Sequence, residues 1–396
     1  MTGTTTAAQG MRVRVARSLA EIEALRPAWE GLPGGIVSGD IDHFLTMLRA
    51  SPRSPSPYVL ALERDGAISA ISAARLEDVE LAARVGYRKV YAPRVRAITV
   101  SYGGVLGDAS PQAARLAVER FQGALEDGEA DVVRFRSLRV GGALHQAAAE
   151  APSFARRQHV STRTVHWQLE LPPSYDAFLA SLSSSTREGV RRYSRKLERD
   201  LGDRATLARY RREEELESFF AAAGAVAGKT YQHGLGVAVT NDPTLRQLIE
   251  LAARSGWFRS WVLSIDGEPA AFWHGMAYRG TFTIGVPGYD PAYARLRTGT
   301  YVLMKAIDEL CADEGVQTVD FGFGDAEYKR RFGTEHWEEE DVLVYAPTFR
   351  GARVNMTRTA VLGAAGAARR VAGSKRIASV KKRWRERLSS GEGRTR

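Results

Sequence analysis

The sequence contains very little cysteine and no long apolar segment. Its single cysteine, Cys311, excludes an intramolecular disulfide framework and any metal site built from several cysteines. No run approaches the roughly 20 apolar residues that a membrane-spanning helix requires. The first residues, MTGTTTAAQGMRVR, lack the apolar core of a secretory signal. We therefore expect a cytoplasmic protein.

The motifs of several common enzyme classes are also missing. The sequence has no metal-ligand spacing, no P-loop, and no serine nucleophile elbow followed by an acid and a histidine. These absences argue against a metalloenzyme, a kinase and a serine hydrolase, and we expect no metal.

Positive charge is concentrated at the end of the chain. The sequence has 396 residues and a net charge of +10. Residues 349–396 contain 14 lysines and arginines against 2 acids, which leaves residues 1–348 with a net charge of −2. The length suits two domains of ordinary size, and 44% hydrophobic residues provide a core for each. The basic character therefore belongs to a tail and not to the body of the protein.

Within that tail, apolar residues recur at near-helical spacing between basic residues, which predicts a basic amphipathic helix. Such a helix could lie on an anionic membrane surface or pair with RNA, tRNA included. A segment of this composition could equally be disordered on its own. The Ala/Gly-rich segment Ala360–Gly373 predicts a flexible connection to it. The apolar positions are Ile377, Val380, Trp384 and Leu388.

The order of the predicted elements repeats once along the chain. Each half contains a strand, helices, three strands of antiparallel type, a helix and a final strand. We therefore predict an α+β fold with two tandem α/β units, each a mixed, largely antiparallel sheet flanked by helices. The predicted units are residues 1–160 and 161–348, and the tail at 349–396 follows.

The segment Val319–Gly333, VDFGFGDAEYKRRFG, is the most informative in the chain. An apolar strand ends in an acid, and two glycines, a second acid and a Tyr-Lys-Arg-Arg cluster follow. Glycines at a strand end let the backbone approach a ligand, and strand ends are where α/β folds place binding sites. We identify four catalytic candidates in this segment, which are Asp320, Asp325, Tyr328 and Lys329.

Each of these candidates also has a plainer interpretation. Lys329 binds a ligand through its positive charge, or it belongs to a solvated basic turn. One of Asp320 and Asp325 accepts a proton, or both only pair with Lys329 or cap the turn. Tyr328 donates a hydrogen bond to a ligand, or it packs in the core. The residues alone leave these alternatives open.

A second group of candidates lies on a predicted helix. Ser185 and Glu188 have the spacing of a capping box, which predicts the start of that helix. Arg187, Arg191 and Arg195 follow at i, i+4 spacing and share one face, with few acids between them. That face binds an anionic substrate, such as a phosphorylated sugar, a lipid-linked glycan or RNA, or it is simply solvated.

The loop KTYQHGLG supplies a third group. We identify Lys229 and Tyr231 as substrate-binding candidates. His233 is a catalytic candidate, because histidine can accept a proton from an attacking amine near neutral pH. The alternative for His233 is a surface histidine without a role.

Three segments of the second half together resemble a known family. They are SLSSSTREGVRRYSRKLE, the strand pair with IDGEPAAFWHGMAY followed by RTGTYVLMKAIDEL, and VDFGFGDAEYKRRFG. In order and spacing they are similar to the cellulose-biosynthesis type (CelD/BcsL) of GNAT-superfamily acyltransferases, which is related to the Fem-type aminoacyltransferases. The first half resembles the family only in outline. The resemblance implies two tandem GNAT units, with the active site in the second.

The resemblance also implies direct acyl transfer, in which an amine attacks an activated ester or thioester while both substrates are bound. In a GNAT unit a splayed strand supplies backbone donors. The matching strand here runs from Thr281 to Gly285 and on to Tyr289, a substrate-binding candidate. The matching pyrophosphate loop keeps one glycine where the family usually has two small residues. Its residues, the candidates for binding the donor, are Arg295, Arg297, Thr298, Gly299 and Thr300.

We therefore predict an enzyme that moves an acyl group from acyl-CoA to an amine or hydroxyl of a sugar, a cell-envelope precursor or a small metabolite. Fem-type relatives use aminoacyl-tRNA as the donor. The alternative is thus a tRNA-dependent aminoacyltransferase that forms an amide on a peptidoglycan precursor or a small metabolite. A third hypothesis is a non-catalytic factor of polysaccharide synthesis, held by its tail at the inner face of the membrane.

Overall fold

The structure, a computed structural model, describes residues 10–52, 54–86, 88–229 and 242–372. These residues form two compact units. Unit 1 contains the described residues up to Val165 and those from Trp337 onward, and unit 2 contains His166–His336. The chain therefore leaves unit 1, passes through unit 2 and then returns to unit 1.

Strands and helices succeed one another in both units. Within the described residues the strands are β1 (Met11–Ala16), β2 (Ser56–Pro57), β3 (Val59–Arg64), β4 (Ala67–Glu80), β5 (Ala83–Val85), β6 (Arg88–Tyr91), β7 (Arg94–Gly107), β8 (Val132–Arg139), β9 (Arg163–Glu170), β10 (Ala205–Tyr210), β11 (Phe258–Ile265), β12 (Glu268–Tyr278), β13 (Gly280–Ile284), β14 (Gly288–Tyr289), β15 (Val316–Phe323) and β16 (Glu335–Tyr345). The helices are α1 (Leu19–Glu23), α2 (Arg26–Gly31), α3 (Ile41–Ala50), α4 (Pro111–Glu126), α5 (Ala143–Glu150), α6 (Tyr175–Ser181), α7 (Ser184–Leu201), α8 (Leu216–Gly228), α9 (Pro243–Arg254), α10 (Thr298–Cys311), α11 (Glu327–Phe332) and α12 (Phe349–Ala372).

The main sheet of unit 1 has the strand order β1-β3-β4-β7-β8-β16. β7 and β8 are parallel neighbours, paired from Ala97/Val132 to Val100/Phe135, and α4 connects them. The other pairs that include β4 or β16 are antiparallel. α4 packs on one face of the sheet through its buried apolar residues, Phe121 among them.

The sheet of unit 2 has the strand order β9-β15-β13-β12-β11-β10. Here too one pair is parallel, because β13 and β15 pair from Gly280/Val316 to Thr283/Asp320 and α10 connects them. α6, α7 and α10 share a hydrophobic cluster with the sheet, and α8 and α9 share another around Phe219. The predicted α+β class, with mixed, largely antiparallel sheets flanked by helices, is confirmed.

The end of the chain differs from the predicted division at 160 and 348. β16 pairs with β8, so its residues from Trp337 onward belong to unit 1. The predicted flexible connection at Ala360–Gly373 is wrong as far as Ala372, because α12 is one helix from Phe349 to that residue. The helix is anchored by Asn355, whose Nδ2 donates hydrogen bonds to two backbone carbonyls of unit 1.

The predicted amphipathic stripe from Ile377 to Leu388 lies outside the described residues. Among the helices that the structure does describe, none combines the length and the apolar character needed to cross a membrane.

Candidate active site

Unit 2 contains an opening where its two parallel strands separate. β13 and β15 stop pairing after Thr283 and Asp320, and the chain beyond β13 turns to form β14, which pairs with β12. Gly285 makes this turn possible, because a Cβ at that position would lie 2.1 Å from Cε1 of His274. Burial lowers the pKa of His274 to about 4, so its ring is a neutral packing surface at pH 7. The sequence does not reveal this contact, because the glycine and the bulky side chain meet only in the folded sheet.

Among the described residues, no side-chain cap is present at the N-terminus of the helix that begins at this opening. Arg297, the residue before α10, has the left-handed φ of 55°, and its side chain does not cap the helix. The first N–H groups of a helix have no partner inside it, so those of Thr298 to Thr300 are available to a ligand. Thr298 is fully buried, and its Oγ1 has no hydrogen-bond partner among the described residues. This end of α10 therefore combines a positive helix dipole, an arginine and an unsatisfied hydroxyl.

A cavity of about 410 Å³ lies at this N-terminus. Its volume is that of a small-molecule site, and its walls are mostly apolar with a few polar groups. Trp273 forms one wall and is fixed by a 2.8 Å hydrogen bond from its Nε1 to the carbonyl of Gly299. Other residues that line the cavity are Gly288, Tyr289, Arg297, Thr298, Thr300, Leu303, Glu327, Tyr328, Arg331 and Phe332.

The structure brings four of the five donor-binding candidates to this cavity. Arg297, Thr298, Gly299 and Thr300 all line it. Arg295 lies in the 3-10 turn Pro291–Leu296 just before them and is exposed, but it is not among the lining residues. Tyr289, a substrate-binding candidate, also lines the cavity and is half exposed.

Lys329 does not line the cavity. It is buried, and its Nζ donates hydrogen bonds to the carbonyls of Gly322 (3.1 Å) and Phe323 (2.5 Å). Burial lowers the pKa of Lys329 to about 8, while the nearby carboxylate of Asp320 acts in the opposite direction. The geometry gives Lys329 the task of holding the turn at the end of β15.

Asp320 holds the same turn from the other side. Its Oδ1 accepts a 2.7 Å hydrogen bond from the backbone N–H of Gly322 and lies 2.7 Å from Nε2 of His166. Both side chains are buried. His166 is absent from the sequence candidates, because only the pairing of β9 with β15 brings it to Asp320. A histidine inside a predicted strand carries no signal for such a contact.

Tyr328 and Asp325 have different surroundings. The ring of Tyr328 packs edge-on against Trp273 (5.4 Å between centroids) and Phe321 (5.9 Å), and it lines the cavity. Asp325 is exposed and pairs with Arg330 at 2.6 Å. Of the four candidates in the motif, Tyr328 is therefore the one at the cavity.

The basic helix α7 begins at Ser184, two residues earlier than predicted. Its N-cap is Ser183, whose Oγ accepts from the N–H of Thr186, so the predicted capping box at Ser185 is wrong. The reason is that three serines in a row offer the same hydroxyl, and the preceding turn decides between them.

The arginines of α7 have different neighbours. Arg187 donates to the carbonyl of Ala180 at 3.2 Å. Arg191 and Arg195 line a second cavity of about 430 Å³, together with Lys305 and apolar side chains. This cavity lies between α6, α7 and α10 of unit 2 and is distinct from the one at the start of α10.

Tyr193, which is not among the candidates named from the sequence, links the basic helix α7 to the start of α10. The guanidinium of Arg297 stacks over its ring at 4.7 Å. Arg192 and Arg297 lower the pKa of the Tyr193 hydroxyl, the former by a hydrogen bond. The stack keeps Arg297 beside the N-terminus of α10.

The remaining candidates come from the loop after α8. Lys229 forms an ion pair with Asp290 at 3.1 Å, close to the start of the Pro291–Leu296 turn. Tyr231 and His233 lie outside the described residues.

Comparisons with known proteins identify the fold around this cavity. Residues 184–330 match the acetyltransferase (GNAT) domain family. No curated protein matches the sequence. Among solved structures, FemX is 10% identical with a TM-score of 0.54, and the match covers 81% of this chain and 95% of FemX.

Two further solved structures are similar. A conserved protein of unknown function from Bacteroides thetaiotaomicron VPI-5482 is 10% identical with a TM-score of 0.55, covering 84% of this chain and 100% of that one. A tandem GNAT protein from the clavulanic acid biosynthesis pathway is 12% identical with a TM-score of 0.48, covering 85% of this chain and 99% of that one.

The family match and the likeness to FemX confirm the coarser part of the predicted resemblance. The matched segment runs from α7 into α11 and includes most of the residues that line the cavity. This segment of unit 2 is therefore similar to the GNAT acetyltransferase domain, and the chain shares the fold of FemX. The cellulose-biosynthesis type stays a prediction.

Proposed function

We propose that the protein is an acyltransferase that takes its donor, an acyl-CoA, in the cavity at the start of α10. The observation that carries the proposal is the uncapped N-terminus of α10, where Arg297 and the buried, unpartnered Oγ1 of Thr298 line the same cavity. The acceptor is an amine or hydroxyl of a sugar, a cell-envelope precursor or a small metabolite. The cellulose-biosynthesis type and a cytoplasmic location belong to the same proposal.

The cavity suits both ends of such a donor. A pyrophosphate needs several hydrogen-bond donors and positive charge, which the N–H groups of Thr298–Thr300 and the guanidinium of Arg297 supply. The pantetheine arm needs a narrow, mainly apolar channel, which Trp273, Leu303 and Phe332 provide. The loop has only one glycine, but its left-handed residue is Arg297, so the backbone makes the required turn without a second one.

The chemistry is a direct displacement. The acceptor nitrogen or oxygen forms a bond to the acyl carbon and loses a proton to solvent, the carbon–sulfur bond breaks, and the departing thiolate takes up a proton. Tyr328 is the residue we assign to that proton, because its ring is fixed against Trp273 and Phe321 and lines the cavity. The turn that precedes α11 is fixed by Asp320, His166 and Lys329. These residues therefore act on the site only by positioning the backbone.

A tRNA-dependent aminoacyltransferase is the alternative, and one observation favours it. Arg191 and Arg195 line their own cavity on α7, and Tyr193 on the same helix stacks with Arg297. Arginines and an aromatic ring along one helix are suited to the phosphates and bases at the end of an RNA strand.

Binding of the donor tests the proposal. Coenzyme A should raise the thermal unfolding temperature of the protein, and charged tRNA should not. Arg297→Gly should weaken coenzyme A binding about tenfold, the effect of losing one favourable charge contact. Glycine tolerates the left-handed backbone at 297, so the unfolding temperature without ligand should not fall.

Arg279→Gly is the matched control for this variant. Arg279 is an exposed arginine of unit 2 that also has a positive φ, 46°, but it is not among the residues that line the cavity. It should bind coenzyme A like the wild type. If coenzyme A gives no shift in the wild type while charged tRNA does, the alternative replaces the proposal.

A further inference from the structure

A row of polar side chains crosses one face of the sheet of unit 1. Arg75 on β4 lies opposite Thr99 on β7, and Thr99 lies opposite Arg134 on β8. Arg136 follows two residues further along β8 and faces the same side, because side chains alternate along a strand. The pairing of β7 with β8 stops at Val100/Phe135, so Arg136 lies where these strands separate.

Two of the three arginines in this row have a carboxylate of their own. Arg134 donates two hydrogen bonds to Oδ2 of Asp341, at 2.9 and 2.5 Å, and the N–H of Ser137 donates to Oδ1 of the same residue. Arg75 pairs with the buried Glu77 at 3.1 Å. Two acids thus balance two arginines.

Arg136 is the arginine that remains. Its Nε lies 3.5 Å from Oδ1 of Asp341, which is an ion pair without a hydrogen bond. The Nε is buried and has no hydrogen-bond partner among the described residues. Burial and the neighbouring charge of Arg134 lower the pKa of the Arg136 guanidinium. A buried N–H of a guanidinium that has no acceptor is unfavourable, and a ligand oxygen can supply that acceptor.

Thr99 adds a second unsatisfied group to the row. It is completely buried, and its Oγ1 has no hydrogen-bond partner in the part of the chain that the structure describes. A buried hydroxyl of this kind costs free energy on folding, and a small ligand or ion can recover it.

We propose that unit 1 binds the oxyanion group of a small ligand, a carboxylate or a phosphate, at Arg136 and Thr99 where β7 and β8 separate. The planar guanidinium fork matches two oxygens of either group, and the hydroxyl donates to a third contact. The net positive charge of the row attracts an anion, because its three arginines face only two acids. The site is separate from the donor cavity, since none of its residues lines that cavity.

Titration calorimetry at constant ionic strength tests this site with two probes, inorganic phosphate and succinate. At least one probe should bind the wild type, and the better one identifies the ligand group. Arg136→Gln should weaken that binding about tenfold or more, since it removes the charge and the fork. Arg12→Gln, a change at an exposed arginine of β1, is the control and should bind like the wild type.

Two further measurements on Arg136→Gln distinguish the loss of this anion site from misfolding and from a failure of the proposed function. Arg136→Gln should unfold at or above the wild-type temperature without ligand, because it removes a half-buried charge that repels Arg134 and whose Nε lacks a hydrogen bond. Its coenzyme A binding should be unchanged. If neither probe binds the wild type, or if Arg136→Gln binds as tightly as the wild type, the site does not exist.

Discussion

Both units contain a parallel strand pair joined by a helix, yet the helix begins differently in each. In unit 1, Ser110 caps α4, and its Oγ accepts from the N–H of Ala113 at 3.2 Å. Asp108 accepts from the N–H of Ser110 at 2.8 Å and pairs with Arg64. In unit 2, α10 begins after Arg297 without any side-chain cap.

A helix N-terminus can bind an anion only where its first N–H groups are left without other partners. In unit 1 a hydroxyl and a carboxylate already use the N–H groups and the positive potential that a phosphate would need. The N–H of Ser110 and the charge of Arg64 lower the pKa of Asp108, so this carboxylate stays charged near neutral pH. We therefore expect the acyl donor to bind to unit 2 and not to unit 1.

The largest effect on coenzyme A binding should come from an acidic residue at the start of α10 in unit 2, comparable to Asp108 before α4 in unit 1. Thr300→Glu places a carboxylate in the first turn of α10, on the wall of the donor cavity. Repulsion of the donor phosphates should weaken coenzyme A binding about a hundredfold, measured by calorimetry. The same charge favours the helix dipole, so the unfolding temperature should stay equal or rise slightly.

Thr300→Gln is the control for this change, because it has the same shape without the charge. It should bind coenzyme A within a fewfold of the wild type. Equal affinities for the Glu and Gln variants would mean that the donor phosphates do not lie at this helix.

The turns that end the parallel strands offer a second comparison. Ser137 in unit 1 and Gly322 in unit 2 each follow the last parallel pair by two residues, and both have a positive φ, 48° and 66°. In unit 1 an acid, Asp341, accepts from the N–H of Ser137. In unit 2 Asp320 accepts from the N–H of Gly322, and the ammonium of Lys329 donates to the carbonyl of the same residue, whereas the cations at the unit 1 turn, Arg134 and Arg136, contact Asp341.

Lys329 should therefore make the stability of unit 2 depend on alkaline pH. Its folded-state pKa of about 8 lies below that of an unfolded lysine, so the unfolded chain binds more protons between these two values. The unfolding free energy should rise as the pH increases from 8 toward about 10, by on the order of 2 kcal/mol. Lys329→Met should remove this rise in denaturant titrations.

An exposed lysine of α7 provides the control, and Lys196→Met should keep the wild-type pH dependence. If the unfolding free energy of Lys329→Met still rises with pH, burial does not lower the pKa of the Lys329 ammonium as expected.

The smallest effect should come from opening the N-terminus in unit 1. Ser110→Ala removes the cap of α4 and should cost about 1 kcal/mol of unfolding free energy. It should leave coenzyme A binding unchanged, while Ser110→Asp should restore most of the stability. Tighter coenzyme A binding by the Ala variant would contradict the assignment of the donor to unit 2.

The sequence predicts the parts of the site that are local in the chain. The segment from Arg297 to Thr300 and the ring of Tyr328 can be found from their neighbours, because a helix start and a strand end leave local signals. The roles of Lys329 and Asp320 could not be predicted, since they depend on a backbone turn and on His166, 154 positions away in the chain. Periodicity reports which face of an element is apolar, but it does not report which strand lies next to it.

The same limit explains the error at the end of the chain. The glycines of this stretch offset the high helix propensity of its alanines, and the helix α12 is held by contacts such as those of Asn355 with unit 1. Composition describes only the stretch itself, whereas its structure depends on contacts with residues far away in the sequence, such as Ala155 and Arg157.

The division of unit 1 into two pieces has a consequence for how the protein is made. The N-terminal piece of unit 1 ends at Val165, but its last strand and α12 are not synthesised until after His336. Within the described residues unit 2 runs without a break from His166 to His336, so it can pack its core before β16 covers the edge of β8 in unit 1. The domain that is synthesised second should therefore be the first to pack its core on the ribosome, and until β16 is made the edge of β8 is open to mispairing.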